Sequence, residues 1–548
     1  MELVKNITLV YNSGNKLLRL KENEVNEKII FETAKSAHKQ QIIIKPKQEE
    51  LTGKTLVIEI KFHEKIKRWR NHDYTWVDLT YNRIANEYSP KILQLESGIY
   101  VQSGQLLGCW EVEKNKPDTL RWHFYSEGLH PIFYFNPYRK FYVPTFKINK
   151  FIEVTLLSSY GKPLEWSRSP IPFSAIFCLT DHCDFDTLEL LKKQRLLLKK
   201  FGIKISKGFF IYHFSKRELN AAFEQPQVAK ELKLWKQEGH ELFFHSLSQS
   251  IKNNKEAWDD FYFFEIPDSI QPITTWVDHG YHPYNFTMQK GETLQTKWLT
   301  DISIRKGISV FWNYYDTFED AGTINQISVE KLCTKFIFKT KLPIKEKIRL
   351  LLYYHTEETQ IFTYRKWAGI IKSLVQKPTL KNIISLARES LKIISIIYSN
   401  LFKWIFQSSN DKLQVKFGPL IFKHPSISNI KIFQTLAIKN FNHAFSESVL
   451  SDFVKECGVC IAHTYLSTLE RHHTGRLFLN DQGMIKEETY KAWERLGSYI
   501  KKGSIWNPTL SELIEWMDDF DKITFDLSKD CNDFVYTGTK NVQTRRIY

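Results

Sequence analysis

The stretch that decides the fold is Ala175–Ser250. It runs "AIFCLTDHCDFDT" (175–187), a Leu/Lys-rich segment, "KGFFIYHF" (207–214), a second helical segment, and "GHELFFHSLSQS" (239–250). The short apolar runs read as buried strands. Leu188–Phe201 and Pro226–Gln237 instead place apolar residues at helical spacing, with lysines outside. Strand alternating with helix predicts a parallel β/α sheet or barrel. Asp181 and Asp184 fall just past the first strand, and His245 ends a later one. Reactive groups collect at those C-terminal strand edges in such folds, so the pattern points to an enzyme.

Downstream, "PITTWVDHG" (272–280), "GISVFWNYYD" (307–316) and "KFIFKT" (335–340) continue the strand-like pieces. A long helical section follows over 344–407. Then "NIKIFQTLAI" (429–438) and "GVCIAHTYL" (458–466) read as barrel strands again, so the helical section is an insertion. Upstream of the proline-bearing "WSRSPIP" (166–172), alternating runs such as "KTLVIEIKF" (54–62) predict a β-rich, sandwich-like domain. Thr33–Gln41 reads there as a short helix. The expected organisation is a β-rich accessory domain over 1–169 and a first barrel part over 170–343. A helical insertion over 344–428 follows, then the rest of the barrel with C-terminal helices over 429–548.

The chain of 548 residues is aromatic-rich, at 14% Phe, Tyr and Trp, which suits a large core and carbohydrate sites. Its net charge of +16 is spread without a Lys/Arg block, and no nucleic-acid-binding signature occurs. Neither a signal peptide nor a membrane-spanning run is read, so a cytoplasmic location is expected. Leu380–Gln407 is amphipathic but interrupted by Arg388, Glu389, Lys392 and Lys403. It suits peripheral membrane contact or packing on its own protein. The seven cysteines, an odd number, read as reduced thiols. Cys457 and Cys460 have metal-like spacing but lack a second pair. Oligomeric state is not legible.

Hydrolysis of an amide or ester needs a polarised carbonyl, an activated water and a proton donor. Asp181 and Asp184 suit carboxylate roles. Strand alternation sends them to different faces unless the chain turns between them. Asp186 is expected to cap the helix beginning near Thr187. His240 and His245 lie five strand steps apart, about 16 Å, on opposite faces. His240 is therefore read as structural and His245 as functional. His279 and His463 each end an apolar run, and His463 is the best proton-donor candidate.

These residues resemble the polysaccharide deacetylases of the NodB-homology group, carbohydrate esterase family 4. "LTDHCD" (179–184) is similar to the family's first acidic motif. "GHELFFHS" (239–246) matches the second, until Gln249 stands where its second metal-binding histidine belongs. "VFWNYYD", with Trp312 and Asp316, and "CIAH", with His463, are looser matches to later motifs. The resemblance implies Asp181 as general base, Asp184 and His245 as ligands of a divalent metal such as zinc, and His463 as general acid. It also implies N-deacetylation of a surface-polysaccharide sugar or its precursor, and so a carbohydrate partner. His279 as third ligand is inferred from its position alone. With Gln249 in the motif, either His279 completes the set or metal binds weakly or not at all. Trp276 and Trp312 can stack on a sugar, although buried packing is the commoner job. The alternatives are a glycoside hydrolase using paired carboxylates, and an inactive glycan-binding barrel.

Overall fold

The computed structural model describes residues 3–547 except 15, 127, 136–138, 143–144, 216, 218, 252, 290–291, 320–321, 329–330, 332–336, 338–339, 341, 345–346, 349–357, 377, 407–416, 419, 471–472, 474 and 540. Seven parallel strands close a barrel: β1 (Ala175–Asp181), β2 (Ser206–Phe209), β3 (Glu241–His245), β4 (Thr275–Val277), β5 (Val310–Glu319), β6 (Lys431–Ala437) and β7 (Val459–Thr464). They pair in that order, β7 returns to β1, and β8 (Ile505–Trp506) joins the entry half of β1.

β1 is buried along its whole length, as a parallel strand covered on both faces must be. Its alternate residues feed two cores. Ala175, Phe177 and Leu179 pack outward beneath the helices with Phe209 and Phe244. Ile176 and Cys178 belong with Phe243, Val277, Trp312 and Ile461 to a second core. That two-residue period decides where every side chain at the strand ends will point.

Local signals fix the covering helices. Thr187 caps Leu188–Phe201 by accepting from the Leu190 amide at 3.2 Å, and Gly202 closes it at φ +69°. Asp186 was expected in the capping role and is not the cap. Pro226 opens Pro226–Gln237, and a Thr509–Glu512 capping box opens Leu510–Asp518.

The N-terminal region is a pair of antiparallel sheets of six and seven strands around one core that includes Trp69, Trp110 and Trp122. The helix expected over Thr33–Gln41 is instead the turn of a hairpin, Ile29–Lys35 with Lys39–Pro46. The alternation of Phe31, Ile42 and Ile44 into the core outweighs weak helical propensity there. The chain end adds three short strands after the helices, and the last, Thr544–Arg546, pairs with Leu164–Trp166. In the insertion, Glu358–Gln376 and Leu380–Phe406 form a helical hairpin. Most of the "KFIFKT" run lies outside the described residues.

Candidate active site

Two clusters grow from the turn after β1. Asp181 shares the parity of Phe177 and Leu179, so it points outward, and so does Lys207 on β2 beside Phe209. Both are fully buried, and the Lys207 ammonium pairs with Asp181 and, at 2.5 Å, with Asp186. The other Asp181 oxygen accepts the Leu466 amide at 2.7 Å. Asp186 also accepts from Ser467 at 2.6 Å and Gln194 at 3.1 Å. Burial pushes the Asp181 carboxyl up; Lys207 opposes that and Asp186 adds to it. Asp181, expected as general base, thus has both oxygens engaged in a sealed cluster.

The residues of opposite parity face inward, and Asp184 joins them. Its two oxygens meet His245 Nε2 and His279 Nδ1, each at 2.9 Å, and those nitrogens are 3.2 Å apart. Burial disfavours the Asp184 charge, yet the charges of His279 and His245 hold the carboxyl well below its ordinary range. Burial works against a charged His279 as well, but Asp184 outweighs it and raises the imidazole. For His245 burial wins, and its pKa is lowered.

The donor geometry can be tested against a metal. His279 Nε2 lies 2.9 Å from the Gln249 carbonyl, an acceptor, so Nε2 carries the proton. Nδ1 of the neutral ring is then a lone pair aimed at a carboxylate and a second imidazole. Three such acceptors converge stably only around a proton or a cation. Tetrahedral zinc with bonds near 2.0–2.1 Å separates its donors by about 3.3 Å, close to the spacing here. The Gln249 carbonyl also supplies the outer hydrogen bond that a ligating histidine needs. His245 lacks that support, since its Nδ1 is buried without a hydrogen bond. His182 adds a fourth group; one atom each from His182, Asp184 and His245 lies within 4.8 Å of the others. The residues present fit a divalent ion.

Across the barrel mouth, His463 at the end of β7 sets Nδ1 3.0 and 3.2 Å from the two Asp316 oxygens. Thr435 donates to Asp316 at 2.7 Å and accepts Trp312 Nε1 at 2.9 Å. Burial disfavours the Asp316 charge, but His463 outweighs it and keeps the pKa low. The His463 Nε2 is buried with no hydrogen-bond partner. Between the two groups sits His182, its ring 4.0 Å from His463 and 4.4 Å from His245, centroid to centroid. Burial, reinforced by His463 and His245, holds His182 far below its usual pKa, as a neutral ring.

The structure therefore brings Asp184, His245, His279 and His463 to one mouth and sends Asp181 elsewhere. His240 lies at the entry end of β3 against Trp235 and accepts from the Ile205 amide at 3.2 Å. The Gln249 side chain turns away to Ser215 and Ser250. Trp276 is core, and Cys460 is a buried strand residue. Sequence reading assigned no role to His182 or Lys207. Parity about β1 and β2 was the available signal for Lys207, and none existed for His182, which lies in the turn. A cavity of about 480 Å³ lies elsewhere, between the sandwich and the entry end of β6, lined by Tyr88, Phe124 and Phe422 among others.

No protein-family model and no curated protein matches the sequence. Among solved structures, a GH31 alpha-xylosidase from a soil metagenome, complexed with xylose, is similar at 10% identity and TM-score 0.19 over 57% of each chain. The chain thus covers little more than half of that protein's length. The GH31 dextranase of Flavobacterium johnsoniae, complexed with glucose, is 8% identical, with TM-score 0.26 over 98% of this chain and 71% of that one. A mutant of that dextranase complexed with isomaltotriose gives 9% identity and TM-score 0.24 over the same shares. Scores this low carry no argument about fold or function.

Proposed function

We propose that the chain is a metal-dependent hydrolase that removes N-acetyl groups from a sugar of a surface polysaccharide or its precursor. One observation carries the reading: Asp184, His245 and His279 converge at the barrel mouth, with His463 beyond His182 and its Nε2 lacking a hydrogen-bond partner. Asp184, His245 and His279 would hold the ion, with His182 at its edge. A bound zinc or similar ion polarises an acyl carbonyl and lowers the pKa of water.

The chain's own residues supply proton transfer. Asp316 fixes the His463 ring through Nδ1, as an orienting carboxylate does. Nε2 is then the group available to take the proton of an attacking water and return it to the departing amine. Asp181, held by Lys207, positions the turn that carries His182 and Asp184. Neutral His182 packs between the two groups and keeps them apart without adding charge.

A second reading is glycoside hydrolysis, which needs two carboxyl groups about 5–10 Å apart. Asp184 and Asp316 support it as partly open carboxylates, with side chains 14% and 17% exposed. Both are committed to imidazoles, which favours the first reading. An inactive glycan-binding barrel is the third.

The test incubates the purified protein and zinc with N-acetylglucosamine oligomers, and assays both acetate and new reducing ends. Metal-dependent acetate release, lost in His463→Ala, is expected. New reducing ends without acetate would establish glycoside hydrolysis instead. Neither product, with sugar still bound, would favour the inactive barrel.

A further inference from the structure

In the hairpin of Glu358–Gln376 and Leu380–Phe406, the second helix is apolar on an open face as well as on its packed one. A surface helix normally turns its apolar stripe to the protein and its polar face to water. Here the second helix buries Ile393 on its packed face but also meets the first through polar groups. Buried Glu389 accepts from Lys366 at 3.0 Å and from Lys392 at 3.2 Å. Trp367 Nε1 donates to Ser390 at 2.9 Å, and Asn400 donates to Gln360 at 3.4 Å.

The opposite face is apolar and open. Leu380, Ile384, Leu391, Ile394 and Tyr398 are 75%, 62%, 69%, 62% and 75% exposed. At about 100° per residue these five fall within a sector of roughly 80°. They form one straight stripe over Leu380–Tyr398, about 27 Å of a 27-residue helix. A contiguous apolar strip of that length in water marks an interaction surface.

Charge names the occupant. Lys381, Arg388 and Lys392 all lie on one flank of the stripe, within about 40° of one another. Glu389 is the only acid of the helix, and its charge is consumed by Lys366 and Lys392. A long apolar stripe beside a cationic flank fits an anionic lipid surface, with hydrocarbon under the stripe and headgroups beside it. No helix among the described residues is long and apolar enough to cross a membrane, so this one would lie in the interface.

We propose that the hairpin is a membrane-surface anchor that lays the Leu380–Tyr398 stripe into an anionic leaflet. The inference is independent of the hydrolytic reading, because no residue of the barrel mouth takes part.

The full-length protein is tested by cosedimentation with phosphatidylcholine vesicles containing about a third phosphatidylglycerol, and by light scattering without lipid. Leu391→Ser/Ile394→Ser/Tyr398→Ser is expected to weaken vesicle binding roughly a hundredfold. Lys381→Glu/Arg388→Glu should weaken it about tenfold or more and remove its dependence on anionic lipid. Three results would overturn the proposal. The parent fails to pellet; or the triple variant pellets as well as the parent, which makes binding a matter of net charge; or the stripe proves to join two copies, as a lipid-free dimer that the triple variant disperses.

Discussion

Two carboxylate clusters stand three residues apart on one turn, and they solve the same electrostatic problem differently. Asp181 and Asp186 are sealed with a lysine between them, so their counter-charge is built into the chain. Asp184 is set among imidazoles, whose charge depends on protons or on a bound cation. The first arrangement is a structural clamp. The second is incomplete without something from solution, which is what a binding centre requires.

The largest effect that sharpens this contrast is at Lys207. Lys207→Met leaves two buried carboxylates without a cation and should cost about 3–5 kcal/mol of unfolding free energy by denaturant titration. Adding Asp181→Asn and Asp186→Asn should recover part of it. A loss under about 1 kcal/mol would show that the clamp carries little stability.

Next comes the proton-transfer side of the mouth. His463→Ala should lower acetate release about a hundredfold, roughly 2.7 kcal/mol at the barrier, while metal content stays constant. Metal loss in that variant would place His463 among the ligands and erase the division of roles.

The buried neutral histidines predict the pH response. Burial holds His240 to about 4 and His282 to about 3, against an ordinary value near 6.5. A depressed imidazole contributes stability that is complete above its unfolded value. That stability is lost as pH falls from about 6.5 toward the folded values, because the unfolded chain takes up protons first. Each should cost about 1.4 kcal/mol per pH unit within that window. His240→Gln should flatten the slope of unfolding free energy against pH; an unchanged slope would show that His240 is not held neutral.

The last effect is the converse of the first. Asp184→Asn in metal-free protein should cost about 1–3 kcal/mol, less than Lys207→Met. The imidazoles it leaves can become neutral, while the carboxylates left by Lys207→Met stay buried without a cation. A loss as large as that of Lys207→Met would make the two clusters alike.

Much of this was legible from the chain. Leu188–Phe201 and Pro226–Gln237 could be bounded because their apolar spacing, Thr187, Gly202 and Pro226 are local signals. Strand ends pointed to Asp184, His245, His279 and His463, and the closure of the barrel brings these four to one mouth. Alternation had already separated Asp181 from Asp184. What could not be read was what Asp181 turns to meet. Lys207 sits inside an apolar run on another strand, and only the closure of β1 on β2 brings it opposite. His182 was invisible for a related reason, because a side chain in a turn obeys neither the strand period nor the helix period. The Thr33–Gln41 reading failed because a hairpin's stability lies in the cross-strand partners and the opposing sheet, outside any local window.

The most direct test is the metal content of the purified protein after dialysis against zinc, compared with His245→Ala and His279→Ala. The account predicts about one ion per chain in the parent and its loss in both variants. A parent that holds no ion, or variants that hold it as well as the parent, would contradict the assignment of Asp184, His245 and His279 as a metal centre.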